Sequence, residues 1–164
     1  MIIYIRARVY AYKGAMNMKV VIQVVDKASV SVEQKLVNEI NKGYLLLVGI
    51  DRDDNEAIIS KMAQKIVNLR INPDENGKTN LSILDINGEI LSISQFTLCA
   101  EVDKRRPSFS SAAKPDVAKP LFELFNELLR NNNIVVKEGI FGEEMEVSLI
   151  NHGPFTIVLT QENL

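Results

Sequence analysis

The run Tyr44-Leu45-Leu46-Leu47-Val48-Gly49-Ile50, entered through Gly43, contains no charged residue and no polar alternation. A run of strand length with no polar side suits a strand covered on both faces, so a sheet with material packed on either side is the first expectation. Lys19 to Asp26 is also β-rich and mostly apolar and reads as a buried strand, and Ser29–Val32 and Leu36–Ile40 are shorter candidates. Asn55 to Arg70 has another period: Ile58, Met62 and Ile66 recur beside Ile59, Ala63 and Val67, which lines one face of a helix. Asp53 and Glu56 have capping-box spacing at its start, and Asn72-Pro73 closes it because the residue before proline avoids the α region. Asp74 to Gly77 reads as a turn. Asn87-Gly88 reads as a hairpin turn between strands Leu81–Asp85 and Glu89–Leu98. Leu121 to Arg130 is helical, with Leu121, Leu124, Phe125, Leu128 and Leu129 on one face. Pro115 and Pro120 each suit a first helical turn, and Asn131-Asn132-Asn133 ends the helix in left-handed geometry. Val135–Glu138, Glu146–Asn151 and Phe155–Thr160 return to β character. The sum is a single α/β domain of mixed β-sheets with two main helices packed on them; periodicity does not give the strand order.

At 164 residues the chain buries enough surface to stand without a disulfide or metal staple. Its one cysteine, Cys99, excludes an internal disulfide and fits a reducing cytoplasm; it reads as a small buried hydrophobe. A net charge of −2, from 19 basic and 21 acidic residues, excludes a surface that grips nucleic acid everywhere and leaves room for a local basic patch. His152 is the only histidine, so a nucleophile–histidine site has one possible base. No His/Cys cluster has zinc spacing, and no phosphate- or dinucleotide-binding glycine motif occurs. No metal or cofactor is called for. An enzyme built this way relies on positioning and backbone hydrogen bonds. Met1 to Asn17 mixes apolar residues with Arg6, Arg8 and Lys13, which interrupt it too early for a signal peptide or a membrane span.

Three segments are candidates for chemistry. Ser94-Gln95-Phe96-Thr97-Leu98 ends an apolar strand, and alternation puts Ser92, Ser94 and Phe96 on one face and Gln95 and Thr97 on the other. It reads either as a polar strand end facing a ligand or as a half-buried strand with its hydroxyls bonded to backbone. Asn151-His152-Gly153-Pro154 joins two strands as a tight connection in which Gly153 supplies unusual angles and Pro154 removes a donor. X-Pro bonds are mostly trans, so trans is the expectation from the residues alone. Lys104-Arg105-Arg106 is a short basic run, either a contact for phosphates or a solvated loop.

Taken in order, Ser94 to Leu98, Arg106-Pro107-Ser108-Phe109, Phe141-Gly142-Glu143-Glu144-Met145 and Asn151 to Thr156 resemble the D-aminoacyl-tRNA deacylase family. Val21-Ile22-Gln23, Ala28-Ser29-Val30 and Lys65 to Arg70 match as well. The resemblance runs from about Met18, where the family usually starts, to the C-terminus, and residues 1–17 then read as an upstream extension or a misplaced start. It implies a hydrolase that removes D-amino acids, and mischarged glycine, from the 3′ end of tRNA, acting as a homodimer in the cytoplasm. It implies that Ser94, Gln95, Phe96 and Thr97 form the catalytic pocket and that Phe141 and Met145 frame it near the terminal adenosine. It further implies that Gly153-Pro154 is cis and enters the partner's pocket. There a backbone wall would admit a D-side chain and exclude an L-Cβ, a choice made by exclusion. The expected reaction is attack by water on the ester, with backbone N–H groups of residues 95–97 holding the oxyanion.

This chain departs from the family at Val24, where Arg is usual and is expected to brace the Gly-Pro turn, and at His152 and Phe155, where Asp and Val are usual. The loop Glu101–Arg106 is about one residue short. A preserved fold does not guarantee preserved chemistry. A non-catalytic nucleic-acid-binding relative is therefore the alternative, and a plain dimeric scaffold a further one.

Overall fold

The computed structural model describes residues 17–164. Apart from Asn17, the expected upstream extension therefore lies outside the described residues. The spine is β1 (Lys19–Val32), one continuous strand where two were expected. Along one side β1 pairs antiparallel with β3 (Gly43–Gly49) over Lys19–Val25 and with β2 (Lys35–Ile40) over Ala28–Val32. Along its other side it pairs with β8 (Glu146–Thr160). Next to β3 lies β6 (Glu89–Ser94), parallel to it, and then β7 (Val136–Glu138), parallel to β6. The buried run at Tyr44 thus becomes a central strand, as its lack of alternation requires. β2 curls round to meet β7, where Asn38 Nδ2 donates to the Glu138 carbonyl (2.6 Å) and Lys137 Nζ to the Glu39 carbonyl (2.7 Å). The curl encloses a smaller core of Val25, Ala28, Val30, Ile40, Leu45, Leu91 and Ile93. The main core lies on the other face, under α1 (Glu56–Asn68) and α2 (Pro115–Arg130).

Several local expectations are corrected. The cap of α1 is Asn55, not Asp53: its Oδ1 accepts the N–H groups of Ala57 and Ile58 at 3.0 and 3.2 Å. Helix α2 begins at Pro115, so Pro120 lies inside it, and Asn133 takes the left-handed conformation at its end (φ 61°). There is no hairpin at Asn87-Gly88. β5 (Thr79–Leu81) pairs instead with β4 (Asn72–Pro73). Reciprocal bonds between Ser82 and Asp85 then turn the chain before β6. Asn87 does adopt positive φ (49°), but within a compact turn, because β6 finds its partners in β3 and β7. Among the described residues no helix is long and apolar enough to cross a membrane.

Candidate active site

The strand expected to run to Leu98 stops at Ser94. The Gln95 N–H still donates to the Val48 carbonyl (2.7 Å), and the chain then coils into a 3-10 turn, Phe96–Cys99, whose first internal bond runs from Leu98 N–H to the Gln95 carbonyl (3.2 Å). Gly49 makes room for that coil. A Cβ on Gly49 would lie 2.8 Å from Leu98 Cβ and 3.1 Å from the Gln95 carbonyl oxygen. Strand alternation therefore does not apply beyond Ser94, and Gln95 to Thr97 project as a corner rather than from two faces. The N–H groups of Phe96 and Thr97 precede the first internal bond of the turn. That of Gln95 is committed to Val48, which narrows the expected set of oxyanion donors.

Phe96 meets the ring of Phe109 edge-on, with centroids 5.3 Å apart and planes at 73°. The segment carrying Phe109 is pinned by Ser111, whose Oγ donates to the Cys99 carbonyl (2.6 Å), and by Ala113 N–H to the Ile50 carbonyl (3.0 Å). A bridge between Glu101 and Ser108 closes the basic loop, leaving Lys104, Arg105 and Arg106 exposed. Between this corner, the start of α2 and the segment before β8 lies a cavity of about 600 Å³. Ser94, Gln95 and Phe96 line one side, Phe109, Ala113 and Ala118 another, and Phe141, Gly142, Glu143 and Met145 the third. Thr97 does not line it: its Oγ1 accepts from Gln95 Nε2 at 2.6 Å.

Gly153 and Pro154 also lie away from this cavity, and the segment that holds them is not a hairpin. β8 is one strand, and its register on β1 runs Gln23↔Thr156 and then Val25↔Asn151. The single residue Val24 therefore faces the four residues His152 to Phe155, which leave the sheet as a loop. The Gly153-Pro154 peptide is cis, as the family resemblance implies and against the expectation from the residues alone; Gly153 has φ 115°. Both residues are exposed. Asn151 ties the base of the loop, with Oδ1 accepting from Phe155 N–H (3.1 Å) and Nδ2 donating to Thr156 Oγ1 (2.9 Å).

A family profile described as D-Tyr-tRNA(Tyr) deacylase matches residues 21–160. This chain belongs to the D-Tyr-tRNA(Tyr) deacylase family. A D-aminoacyl-tRNA deacylase of Thermosipho africanus is 51% identical over 148 residues, which is 90% of this chain and 99% of that one. One of Lactobacillus acidophilus is 54% identical over 143 residues, 87% and 99% respectively. Among solved structures, the c-Myc DNA unwinding element binding protein superposes with a TM-score of 0.82 at 38% identity, over 86% of this chain and 97% of that one.

The family match spans both the Ser94 corner and the Gly153-Pro154 loop, yet in this deacylase-family chain the two stand apart. Sequence reading missed Phe109 and Glu143 as cavity residues, although both lie inside segments that carried the family resemblance. It also missed Ala113 and Ala118, small residues that carry no motif and matter only for the space they leave. Cys99 is buried, and burial pushes its thiol up to about 11, so it stays a protonated packing group rather than a thiolate. His152 Nδ1 lies 3.1 Å from Asp26 Oδ1, on the loop and not at the cavity.

Proposed function

We propose that this chain hydrolyses the ester that joins a D-amino acid to the 3′ end of tRNA, and that it does so as a homodimer. The observation that carries the reading is the pairing of two separate parts. One is a mostly apolar cavity with a few polar groups, the form expected of a small-molecule site. The other is an exposed backbone wedge, Gly153-Pro154, which does not line its own cavity. A second copy supplies what each lacks. The sheet face suits such a partner: β pairing aligns Val158 with Val21, Val21 with Leu47 and Leu47 with Ile93, and Val158 is 57% exposed while Ile93 lines the cavity.

In this reading the aminoacyl group enters the cavity, with Phe141 and Met145 framing the terminal adenosine and the exposed Lys104–Arg106 run meeting phosphates. The partner's loop presents backbone close to Cα, where an L-Cβ would collide. Glycine lacks that atom and is removed as well. Water attacks the ester carbonyl; the C–O bond to the ribose breaks, and the ribose oxygen takes a proton. The N–H groups of Phe96 and Thr97 hold the developing oxyanion. The side chain that touches the Thr97 hydroxyl, Gln95, is no base, and the substrate's own 2′-hydroxyl orients the water. The cytoplasm, where charged tRNA is used, is the place of action.

A second reading has one observation in its favour: the likeness to a protein named for binding a DNA unwinding element. It predicts nucleic-acid binding without turnover. The deciding experiment is release of D-tyrosine from D-Tyr-tRNA by the purified protein, beside L-Tyr-tRNA. Loss of D alone supports the first reading. Binding of tRNA with loss of neither supports the second.

A further inference from the structure

The loop His152–Phe155 is tied at its base by Asn151, but its tip needs its own hold if it is to stand as a wall. The residue opposite it cannot provide one. Val24 is 4% exposed, and its side chain packs in the main core beneath the helices. The next residues along β1 differ. Val25 pairs with Asn151 and Lys27 with Ile150, which leaves Asp26 as an unpaired extra residue beside the extra residues of β8. From that break the Asp26 carboxylate reaches the loop, with His152 Nδ1 at 3.1 Å from Oδ1 and 3.3 Å from Oδ2. Two irregularities in neighbouring strands thus deliver the two ends of one contact.

We propose that Asp26 and His152 are positioning residues that set the direction of the Gly153-Pro154 tip and so the choice between D- and L-aminoacyl esters. This rests on the deacylase reading. The pair is half exposed on both sides, at 56% and 51%, so it adds little to global stability. Its effect falls on where the next two residues point. In the dimer, a shift of the tip alters the space at Cα without touching the groups at the ester carbonyl. His152 acts through Gly153 and is not the base of the reaction.

The test compares Asp26→Ala, His152→Ala, the double variant and the exchanged pair Asp26→His with His152→Asp. The readouts are kcat/KM on D-Tyr-tRNA and L-Tyr-tRNA, with Tm alongside. Each single variant is expected to lower the D/L ratio about tenfold, and the double variant no further, because the two act as one contact. Tm stays near that of the parent, and the exchanged pair recovers part of the ratio. An unchanged ratio in the single variants overturns the proposal. So do single losses that multiply in the double variant, or loss of kcat with the ratio kept, which would make His152 a base. If the parent itself releases neither amino acid, the deacylase reading fails, and the contact is then read from the Gly153 amide resonance in Asp26→Ala. A displaced resonance supports the hold on the tip, and an unmoved one overturns it.

Discussion

The side chain of Asn151 closes the loop that follows it: its Oδ1 accepts the N–H of Phe155 at 3.1 Å, and its Nδ2 donates to Thr156 Oγ1 at 2.9 Å. One residue thus ties down a segment that has left the β ladder. Asn151→Ala removes both bonds at an expected stability cost of about 1 kcal/mol. The cost to chiral selection should be larger, because the base of the wedge loosens. Asn151→Asp keeps the acceptor and loses the donor, so it should fall between the parent and the alanine variant. Kinetics on D-Tyr-tRNA and L-Tyr-tRNA, beside thermal melts, check the order. An alanine variant with parental selectivity would show that the loop is held from elsewhere.

Thr97 follows the cavity-lining Phe96, but its hydroxyl oxygen is engaged by Gln95 Nε2 at 2.6 Å. A hydroxyl becomes a nucleophile only when a base takes its proton, and Gln95 is not one. Thr97→Ala should therefore keep deacylation within about tenfold of the parent, roughly the scale of a lost positioning contact. Complete loss with tRNA binding intact would make Thr97 the nucleophile and set aside attack by water.

The legible parts of this chain were those whose cause is local. The unbroken Tyr44 run needed cover on both faces and became a central strand; the four-residue recurrence of Ile58, Met62 and Ile66 became α1. What the residues hid was decided by partners far away in sequence. Asn87-Gly88 has hairpin chemistry, but Glu89–Ser94 pairs in parallel with Gly43–Val48, and no turn signal reports that choice. The coil at Phe96 depends on the empty space over Gly49, some fifty residues earlier. The 152–155 segment looks like a hairpin because two apolar runs flank a Gly-Pro. Only the continuous pairing of both runs with β1 turns it into a loop on one strand. Of the expected site residues, Ser94, Gln95, Phe96, Phe141 and Met145 line the cavity and Thr97, Gly153 and Pro154 do not, while Ala113 and Ala118 line it without any motif to announce them.

Asp54 is 8% exposed and accepts the N–H groups of Met18 (2.9 Å) and Asp51 (2.7 Å), fastening the start of β1 to the turn before α1. Burial pushes its carboxyl up to about 6, against those two hydrogen bonds. The folded-state pKa lies above the unfolded one, so between about 4 and 6 the folded chain keeps a proton that the unfolded chain has released. Stability is fullest at the acid side of this window, falls as pH rises through it and is level above it, by at most about 3 kcal/mol. Asp54→Asn removes this titration. The Tm of the variant relative to the parent should therefore improve from about pH 4 to about pH 7. A difference in Tm that stays flat across that range would remove this role for Asp54.

Gly49 has an ordinary extended backbone, so its value lies in what it lacks. A methyl group there meets Leu98 Cβ at 2.8 Å and the Gln95 carbonyl oxygen at 3.1 Å. The Leu98 contact must open by several tenths of an ångström, and β3 cannot move because it is paired on both sides. The 3-10 turn moves instead, carrying with it the N–H groups of Phe96 and Thr97 and the Phe96 ring. Gly49→Ala should cost about 1–3 kcal/mol, the usual scale of overpacking. Its kcat on D-Tyr-tRNA should fall by about a hundredfold, since oxyanion donors work only at short and fixed distances. KM should change less, because Phe141 and Met145 lie on the opposite wall. A variant that is less stable but has parental kcat would show that the turn tolerates displacement, and that the groups holding the oxyanion lie outside Phe96 and Thr97.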